Sequence, residues 1–151
     1  MITYVGIDPG KSGAIAALFP DGTTTHSTFD IIAYSNILNT CRISGPVFAV
    51  IEKVHSMPKQ GVASSFSFGE NFGLVKGLLY AHNIPFQEVS PNKWKRAFGV
   101  TSDKQSSIDS AQSLFPSVDM RATQRCKKPH DGIAEAFLMA EYARRIRPCE
   151  K

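Results

Sequence analysis

Two acidic residues each end an apolar segment of the chain, a pattern that suits ligand binding. Asp8 ends the segment VGID, and Glu52 ends the segment FAVIE. Both segments predict strands, and the second is apolar enough for a strand that is buried on both faces. Because open α/β sheets bind ligands beyond the carboxyl ends of their strands, the sequence predicts that these carboxylates lie at a functional edge.

Two further acids share one face of a predicted C-terminal helix. Asp131 and Glu135 are four residues apart, and Leu138 and Tyr142 continue their stripe, so the acids should point toward the protein body. Like charges at this spacing repel, and burying them unpaired is costly. A divalent cation removes the conflict, and oxygen ligands without nearby cysteine favour Mg²⁺ or Mn²⁺ over zinc.

A structural role is the alternative for the last two acids. Asp131 could be a first-turn acid that the helix dipole favours, and Glu135 could pair with a lysine. The metal site is preferred because all four acids arise in matching contexts. The neighbouring His130 either touches that site or caps the helix.

The rest of the chain predicts the elements that must position these acids. Strands are predicted at 2–7, 13–19, 23–29, 47–52 and 85–89, and helices at 31–40, 64–82, 91–98, from about 103, and at 131–146. This order predicts an α/β protein with a mixed five-stranded sheet flanked by helices, in a single domain spanning residues 1–151.

Two helix details carry specific expectations. Ser102 and Gln105 have the spacing of a capping box for the helix that follows them. Gly69, Gly73 and Gly77 recur every four residues and form one stripe. This stripe predicts either loose packing onto the sheet or a close contact between subunits.

Composition narrows the class of protein and its partners. The 151 residues include 17 Lys and Arg against 13 Asp and Glu, and most of the basic residues lie from Lys93 onward, which favours a polyanionic partner. No apolar run is long enough to span a membrane, and MITYVGID predicts a strand rather than a signal peptide. Cys41, Cys126 and Cys149 form no CxxC pair, so we expect free thiols and a cytoplasmic location.

Taken in order, these motifs resemble those of RuvC-type Holliday-junction resolvases. VGIDPGKSGAIAAL is similar to the family's first hairpin, AVIEKVH to its second acidic strand and AEAFLMA to its C-terminal helix motif. VSPNKWKRAFGVTSDKQSSIDSAQSLF resembles the segment that carries two phosphate-contacting lysines. The resemblance spans nearly the whole chain and implies a ribonuclease-H-like fold.

The resemblance also implies roles for particular residues. The four acids would hold two Mg²⁺ ions, with Mn²⁺ as a substitute; they are Asp8, Glu52, Asp131 and Glu135. Lys95 and Lys104 match the family's two basic positions, with Lys104 holding the scissile or a neighbouring phosphate, and His55 falls where the family often contacts DNA. By charge alone, Lys93 would follow the DNA backbone together with Lys95. Family members more often have Asp at the position of Glu135 and a spacing of three, so HDGIAEA resembles the phage-type members.

The implied activity is paired, symmetric hydrolysis of four-way DNA junctions. Two cations can activate water, neutralise the phosphate and assist the leaving oxygen. The two-fold symmetry of a junction predicts a homodimer on branched DNA. We expect neither a membrane partner nor a nucleotide cofactor. The aromatic residues Phe66, Phe68 and Trp94 could stack on unpaired bases or pack in the core.

Three other functions remain open from the sequence. A nuclease of the same fold could cut flaps and other branched DNA more broadly. An actin-like or sugar-kinase-type nucleotide-binding domain also places a loop like GIDPGKSG after its first strand, but the chain is short for two lobes and Glu52 has no role there. The full set of acids disfavours a non-catalytic binder of structured DNA.

Overall fold

The computed structural model describes residues 1–55 and 57–148, so Cys149 lies outside the described residues. The five strands are β1 (Thr3–Asp8), β2 (Ala14–Leu18), β3 (Thr24–Thr28), β4 (Val47–Glu52) and β5 (Phe86–Val89). The helices are α1 (Ile31–Ile43), α2 (Val62–Ala81), α3 (Pro91–Phe98), α4 (Lys104–Leu114) and α5 (Asp131–Ile146). Element types and order agree with the prediction.

The strands form one mixed sheet in the order β3-β2-β1-β4-β5. Short turns join β1 to β2 and β2 to β3, and these pairs are antiparallel. The connection from β3 through α1 to β4 is long enough to place β4 parallel to β1, and β5 is parallel to β4. The central strand of this sheet, β1, carries the first acid.

Helices cover both faces of the sheet, and alternation along the strands decides which face each side chain meets. Val5 and Ile7 pack in the core with α1 and α2, whereas Tyr4 packs in the core with α5. The side-chain period of two therefore places Asp8 on the α5 face. The same alternation in β4 places Phe48, Val50 and Glu52 on that face.

A close backbone approach holds α5 against β1. A Cβ atom added to Gly6 would lie 2.1 Å from the carbonyl oxygen of Ala136 and 2.3 Å from the amide nitrogen of Ala140. Only a residue without a side chain fits there, and the facing alanines also keep the helix near the sheet. This contact brings the acids of α5 beside the end of β1.

The structure corrects two local predictions. The helix α1 extends to Ile43, three residues beyond the predicted end. The capping box was wrong, because Asp103 rather than Ser102 caps α4 and accepts a hydrogen bond from the backbone N–H of Gln105 at 3.0 Å. A carboxylate one residue later supplies the acceptor that the helix needs.

The glycine stripe of α2 faces outward. A Cβ atom at Gly69, Gly73 or Gly77 would meet nothing within 4 Å, which excludes the packing of this stripe onto the sheet. The buried residues Asn71, Val75 and Leu79 lie on the opposite side of the helix.

Within residues 1–55 and 57–148, no helix combines the length and the apolar character that a membrane span requires.

Candidate active site

A pocket of about 490 Å³ opens where β1, α3, α4 and α5 meet. Three of the predicted acids and two of the predicted lysines line it, namely Asp8, Asp131, Glu135, Lys95 and Lys104. The loop after β1 and the first turns of α2 complete the wall. Acids from a strand and from a helix therefore meet in one concave site, as the sequence predicts.

Strand register brings the fourth acid to the same edge. The parallel pairing sets Ile7 opposite Ile51, so the next residues, Asp8 and Glu52, end neighbouring strands. Burial and repulsion by Glu52 both raise the pKa of Asp8, so the two carboxylates are electrostatically coupled. The indole N–H of the buried Trp94 donates a hydrogen bond to Glu52 Oε2 at 2.8 Å.

The N-terminal cap of α5 determines where the two acids of this helix lie. His130 is the N-cap, and its Nδ1 accepts a hydrogen bond from the backbone N–H of Ile133 at 3.3 Å. The cap fixes Asp131 in the first turn and Glu135 one turn later. His130 therefore has the capping role, one of the two roles that its position predicts.

Burial and mutual repulsion disfavour charge on this cluster. Burial is the main cause that raises the pKa of the Asp8 carboxyl well above its ordinary value. Repulsion from the other three carboxylates raises this pKa further, while the Lys104 ammonium lowers it in part. Burial also raises the pKa of Glu52 and of Glu135, in each case against partial compensation by a neighbouring hydrogen bond or charge. The four acids thus form one electrostatic unit.

Two lysines offset part of this negative charge. Lys104 Nζ lies 2.9 Å from Asp131 Oδ2, and the Lys104 side chain is 72% exposed. Lys95 Nζ lies 3.7 Å from Glu135 Oε1 and is more enclosed. The buried Ser107 hydroxyl donates to the same Glu135 oxygen at 3.2 Å. Lysine pairing was the structural alternative for Glu135, and it coexists here with the clustering of all four acids.

The donor chemistry of the cluster fits a hard divalent cation. Carboxylate oxygens without cysteine suit Mg²⁺ or Mn²⁺, and a positive ion would relieve the repulsion that raises the pKa of Asp8. In their present positions, however, no three His, Cys, Asp or Glu side chains among the described residues are grouped closely enough to enclose one ion. Coordination would therefore require Asp131 and Glu135 to turn as Lys104 and Lys95 release them.

The loop after Asp8 is held by protein contacts. The backbone N–H of Gly10 donates to Asn71 Oδ1 at 2.8 Å, and the backbone N–H of Gly13 donates to the carbonyl of Gly10 at 3.0 Å. A nucleotide-binding loop offers such amides to phosphate. These two amides are already satisfied, which disfavours the nucleotide-binding alternative.

Some predicted DNA-contacting residues lie outside this pocket. Lys93 is exposed on α3, and the exposed His55 lines a separate pocket of about 70 Å³ next to Phe68. Phe68 lines both pockets and Phe66 is exposed, so either ring is accessible to a base. Stacking by Trp94 is excluded, because its side chain is fully buried.

Several polar residues of the pocket were not predicted from the sequence. They come from the loop after β1, the start of α2 and the turn before α4, and are Lys11, Ser12, Ser64, Ser67 and Ser102. The two residues of the first loop directly follow Asp-Pro-Gly, so proximity to Asp8 was an available signal. The serines of α2 come close only through folding, and the sequence carries no such signal for them.

We expect the metal-free protein to be more stable at mildly acidic pH than at pH 8. The folded-state pKa of Asp8, Glu52 and Glu135 is raised, so the folded state retains protons that the unfolded state has already lost. The stabilising contribution is complete below the unfolded-state pKa and is lost as the pH rises through the folded-state pKa. Thermal unfolding in a chelating buffer at several pH values measures this.

The Asp8→Asn protein is the control for this pH dependence. Removing the most strongly perturbed carboxyl should flatten the decline in stability between mildly acidic and alkaline pH. Parallel pH profiles of the two proteins would contradict the electrostatic coupling of the cluster.

Comparison with solved structures identifies the fold. The RuvC structure from Thermus thermophilus matches with a TM-score of 0.56 and 16% identity, over 95% of this chain and 96% of that chain. T. thermophilus RuvC in complex with a Holliday junction substrate matches with a TM-score of 0.60 and 13% identity, over 91% and 90% of the two chains. The yeast mitochondrial Holliday junction resolvase Ydc2 matches with a TM-score of 0.45 and 17% identity, over 92% and 75%.

No protein-family model matches the sequence, and a search of curated proteins returns no significant match. Because their sequence identities to this chain are only 16% and 13%, the two T. thermophilus RuvC structures show similarity of fold alone. The chain therefore has the α/β, ribonuclease-H-like fold of RuvC, which confirms the predicted fold class.

Proposed function

We propose that this protein is a divalent-metal-dependent endonuclease that cuts four-way DNA junctions by paired, symmetric phosphodiester hydrolysis. The observation that carries the proposal is a pocket at the edge of a RuvC-like sheet, in which three carboxylates meet two lysines. The fourth carboxylate, Glu52, ends the neighbouring strand and is electrostatically coupled to Asp8. The T. thermophilus RuvC with a similar fold was solved with a Holliday junction substrate.

The proposed reaction divides the work between the acids and the lysines. Two Mg²⁺ ions, with Mn²⁺ as a substitute, would be held by Asp8, Glu52, Asp131 and Glu135 and would supply the activated water and neutralise the phosphate. Lys104 and Lys95 now pair with two of these acids. When the acids bind cations, the lysines are free to pair with DNA phosphates. The lysines thus exchange a carboxylate partner for a phosphate partner.

We expect Lys104→Ala to weaken junction binding and to lower its salt dependence. Lys104 is mostly exposed at the mouth of the pocket, where it can act as a point charge on one phosphate. Losing one phosphate contact should reduce the slope of log affinity against log salt by about 1. Fluorescence anisotropy with a labelled junction, in a buffer with Ca²⁺ and increasing salt, measures that slope.

Two variants provide controls for this effect. Lys104→Arg keeps the charge and should keep the salt slope, whereas Arg42→Ala removes an exposed charge from α1, on the other face of the sheet. An unchanged slope in Lys104→Ala, or an equal loss in Arg42→Ala, would refute the assignment of Lys104 to a phosphate.

The outer face of α2 supports a homodimer. Gly69, Gly73 and Gly77 lie on one stripe of the helix with Phe66 and Tyr80, and these two rings are 74% and 70% exposed. Glycines allow two helices to approach closely, and large exposed apolar side chains indicate an interface. Packing α2 against its symmetry mate would bury this stripe and give the two active sites that paired cuts need.

We expect Gly73→Glu to make the protein monomeric. The side chain would place bulk and charge at the centre of the stripe, whereas glutamate is a better helix former than glycine, so the monomer should remain folded. Analytical ultracentrifugation measures the oligomeric state. Asn39→Glu, on the exposed surface of α1, adds the same charge elsewhere and should leave the dimer intact. A monomeric parent protein, even with junction DNA, would rule out this interface.

The proposed activity is tested with a synthetic four-way junction, a flap and a linear duplex. Each substrate is incubated with the purified protein in Mg²⁺, in Mn²⁺ and in EDTA. We expect symmetric pairs of nicks in the junction only, with no cleavage in EDTA. Equal cutting of flaps would replace the junction-specific proposal with a broader branched-DNA nuclease. No cleavage with either ion would overturn the proposed function.

A further inference from the structure

The single tryptophan of the chain lies next to one of the candidate metal ligands. Trp94 is in the short helix α3, and its side chain is fully buried. Its Nε1–H donates a hydrogen bond to Glu52 Oε2 at 2.8 Å. Lys95, the next residue of α3, has its ammonium 5.4 Å from the centre of the indole ring.

The direction of this hydrogen bond matters for the carboxylate. A buried indole N–H needs an acceptor, and this one uses a carboxylate oxygen, which in its ionised form makes a stronger hydrogen bond than a neutral acceptor. Glu52 is at the last position of β4. One fixed oxygen restricts the rotation of the carboxylate and thereby the direction of its remaining lone pairs.

We infer that Trp94 is a positioning residue, whose indole N–H holds the Glu52 carboxylate in the orientation in which it binds the catalytic cation. The inference rests on the proposed metal-dependent function of the site. It goes further in assigning a role to a buried aromatic residue that lies outside the pocket lining. Hydrogen bonds from neighbouring groups to metal ligands orient those ligands, and their loss typically reduces metal affinity or activity 10- to 100-fold.

The first test uses Trp94→Phe, which keeps an aromatic ring in the core and removes the N–H. Thermal unfolding is measured at increasing Mg²⁺ concentration for both proteins. We expect the Mg²⁺ concentration at half-maximal stabilisation to rise about 10-fold or more in the variant. Junction cleavage at saturating Mg²⁺ should recover most of the parent rate. A purely structural role would lower the unfolding temperature without shifting the Mg²⁺ midpoint.

The second test uses the unmodified protein and does not depend on how well the variant folds. Trp94 is the single tryptophan of the chain. Excitation at about 295 nm selects indole emission, so the fluorescence of the protein reports this site alone. Titration with Mg²⁺ should change this emission and saturate at the midpoint found by thermal unfolding. In Glu52→Gln the same titration should leave the emission unchanged, since the amide can still accept the hydrogen bond without attracting the cation.

The outcomes separate the two proposals. If Mg²⁺ neither stabilises the parent protein nor supports cleavage, the proposed function fails and the role of Trp94 fails with it. If Mg²⁺ binds and supports cleavage, an unchanged Mg²⁺ midpoint in Trp94→Phe overturns the positioning role alone. An indole emission that does not respond to Mg²⁺ in a parent protein that Mg²⁺ stabilises overturns it as well.

Discussion

Replacing Asp8 by asparagine should abolish junction cleavage while making the metal-free protein more stable. Asp8 ends the central strand, and the burial of its carboxyl, together with repulsion by three other acids, raises its pKa. Asparagine keeps the size and removes the charge, so the repulsion within the cluster decreases. On the proposed function, loss of this cation ligand should cost several kcal/mol of transition-state stabilisation, or about 10³-fold in rate.

Two measurements on one preparation test both halves of this expectation. Single-turnover cleavage of a four-way junction gives the rate, and thermal unfolding in EDTA gives the stability. Asp30→Asn is the matched control, because Asp30 caps α1 outside the cluster and asparagine caps a helix about equally well. Its stability and activity should both stay close to those of the parent protein. An Asp8→Asn protein that cuts within about tenfold of the parent would exclude Asp8 as a metal ligand.

Replacing Gly6 by alanine should destabilise the fold and disable the site together. The added methyl carbon would lie 2.1 Å from a backbone oxygen of α5, and backbone cannot rotate away as a side chain can. Overpacking of this kind costs about 3 kcal/mol or more, which corresponds to about 10 °C in unfolding temperature for a chain of this size. Because α5 carries Asp131 and Glu135, its displacement should also reduce cleavage.

Gly61→Ala serves as the control for this substitution. Gly61 precedes α2 with a backbone conformation that alanine accepts, and a Cβ atom there would meet nothing within 4 Å. Its unfolding temperature should stay close to that of the parent, as measured by calorimetry. A Gly6→Ala protein as stable as Gly61→Ala would show that α5 is not held against β1 as described.

The elements that carry the acids were predictable because their signals are local. The apolar run that ends in Glu52 predicts β4 with its observed bounds, and the spacing of Asp131 and Glu135 predicts α5 and its inward face. The confinement of the whole chain to a single domain, 1–151, stays a prediction. Local patterns thus sufficed to place three of the acids in one pocket and the fourth at the adjoining strand end.

Contacts between distant segments were not predictable from such patterns. The sequence places Trp94 in a short helix but does not say which face of that helix meets Glu52, a residue 42 positions away. The pairing of Lys104 with Asp131 depends in the same way on how α4 meets α5. The predicted cap of α4 was wrong for a local reason. Ser102 and Asp103 are both good N-caps, and propensity alone does not choose between them.

The buried Asn71 joins the two halves of the proposed function through one helix. Its side chain accepts a hydrogen bond from the Gly10 N–H of the loop after β1, while the outer face of the same helix carries the proposed dimer stripe. If subunit association orders that loop and thereby favours DNA binding, thermodynamic linkage requires DNA binding to favour subunit association by the same free energy. A junction held in the site would then strengthen the dimer by the same factor by which dimerisation strengthens junction binding.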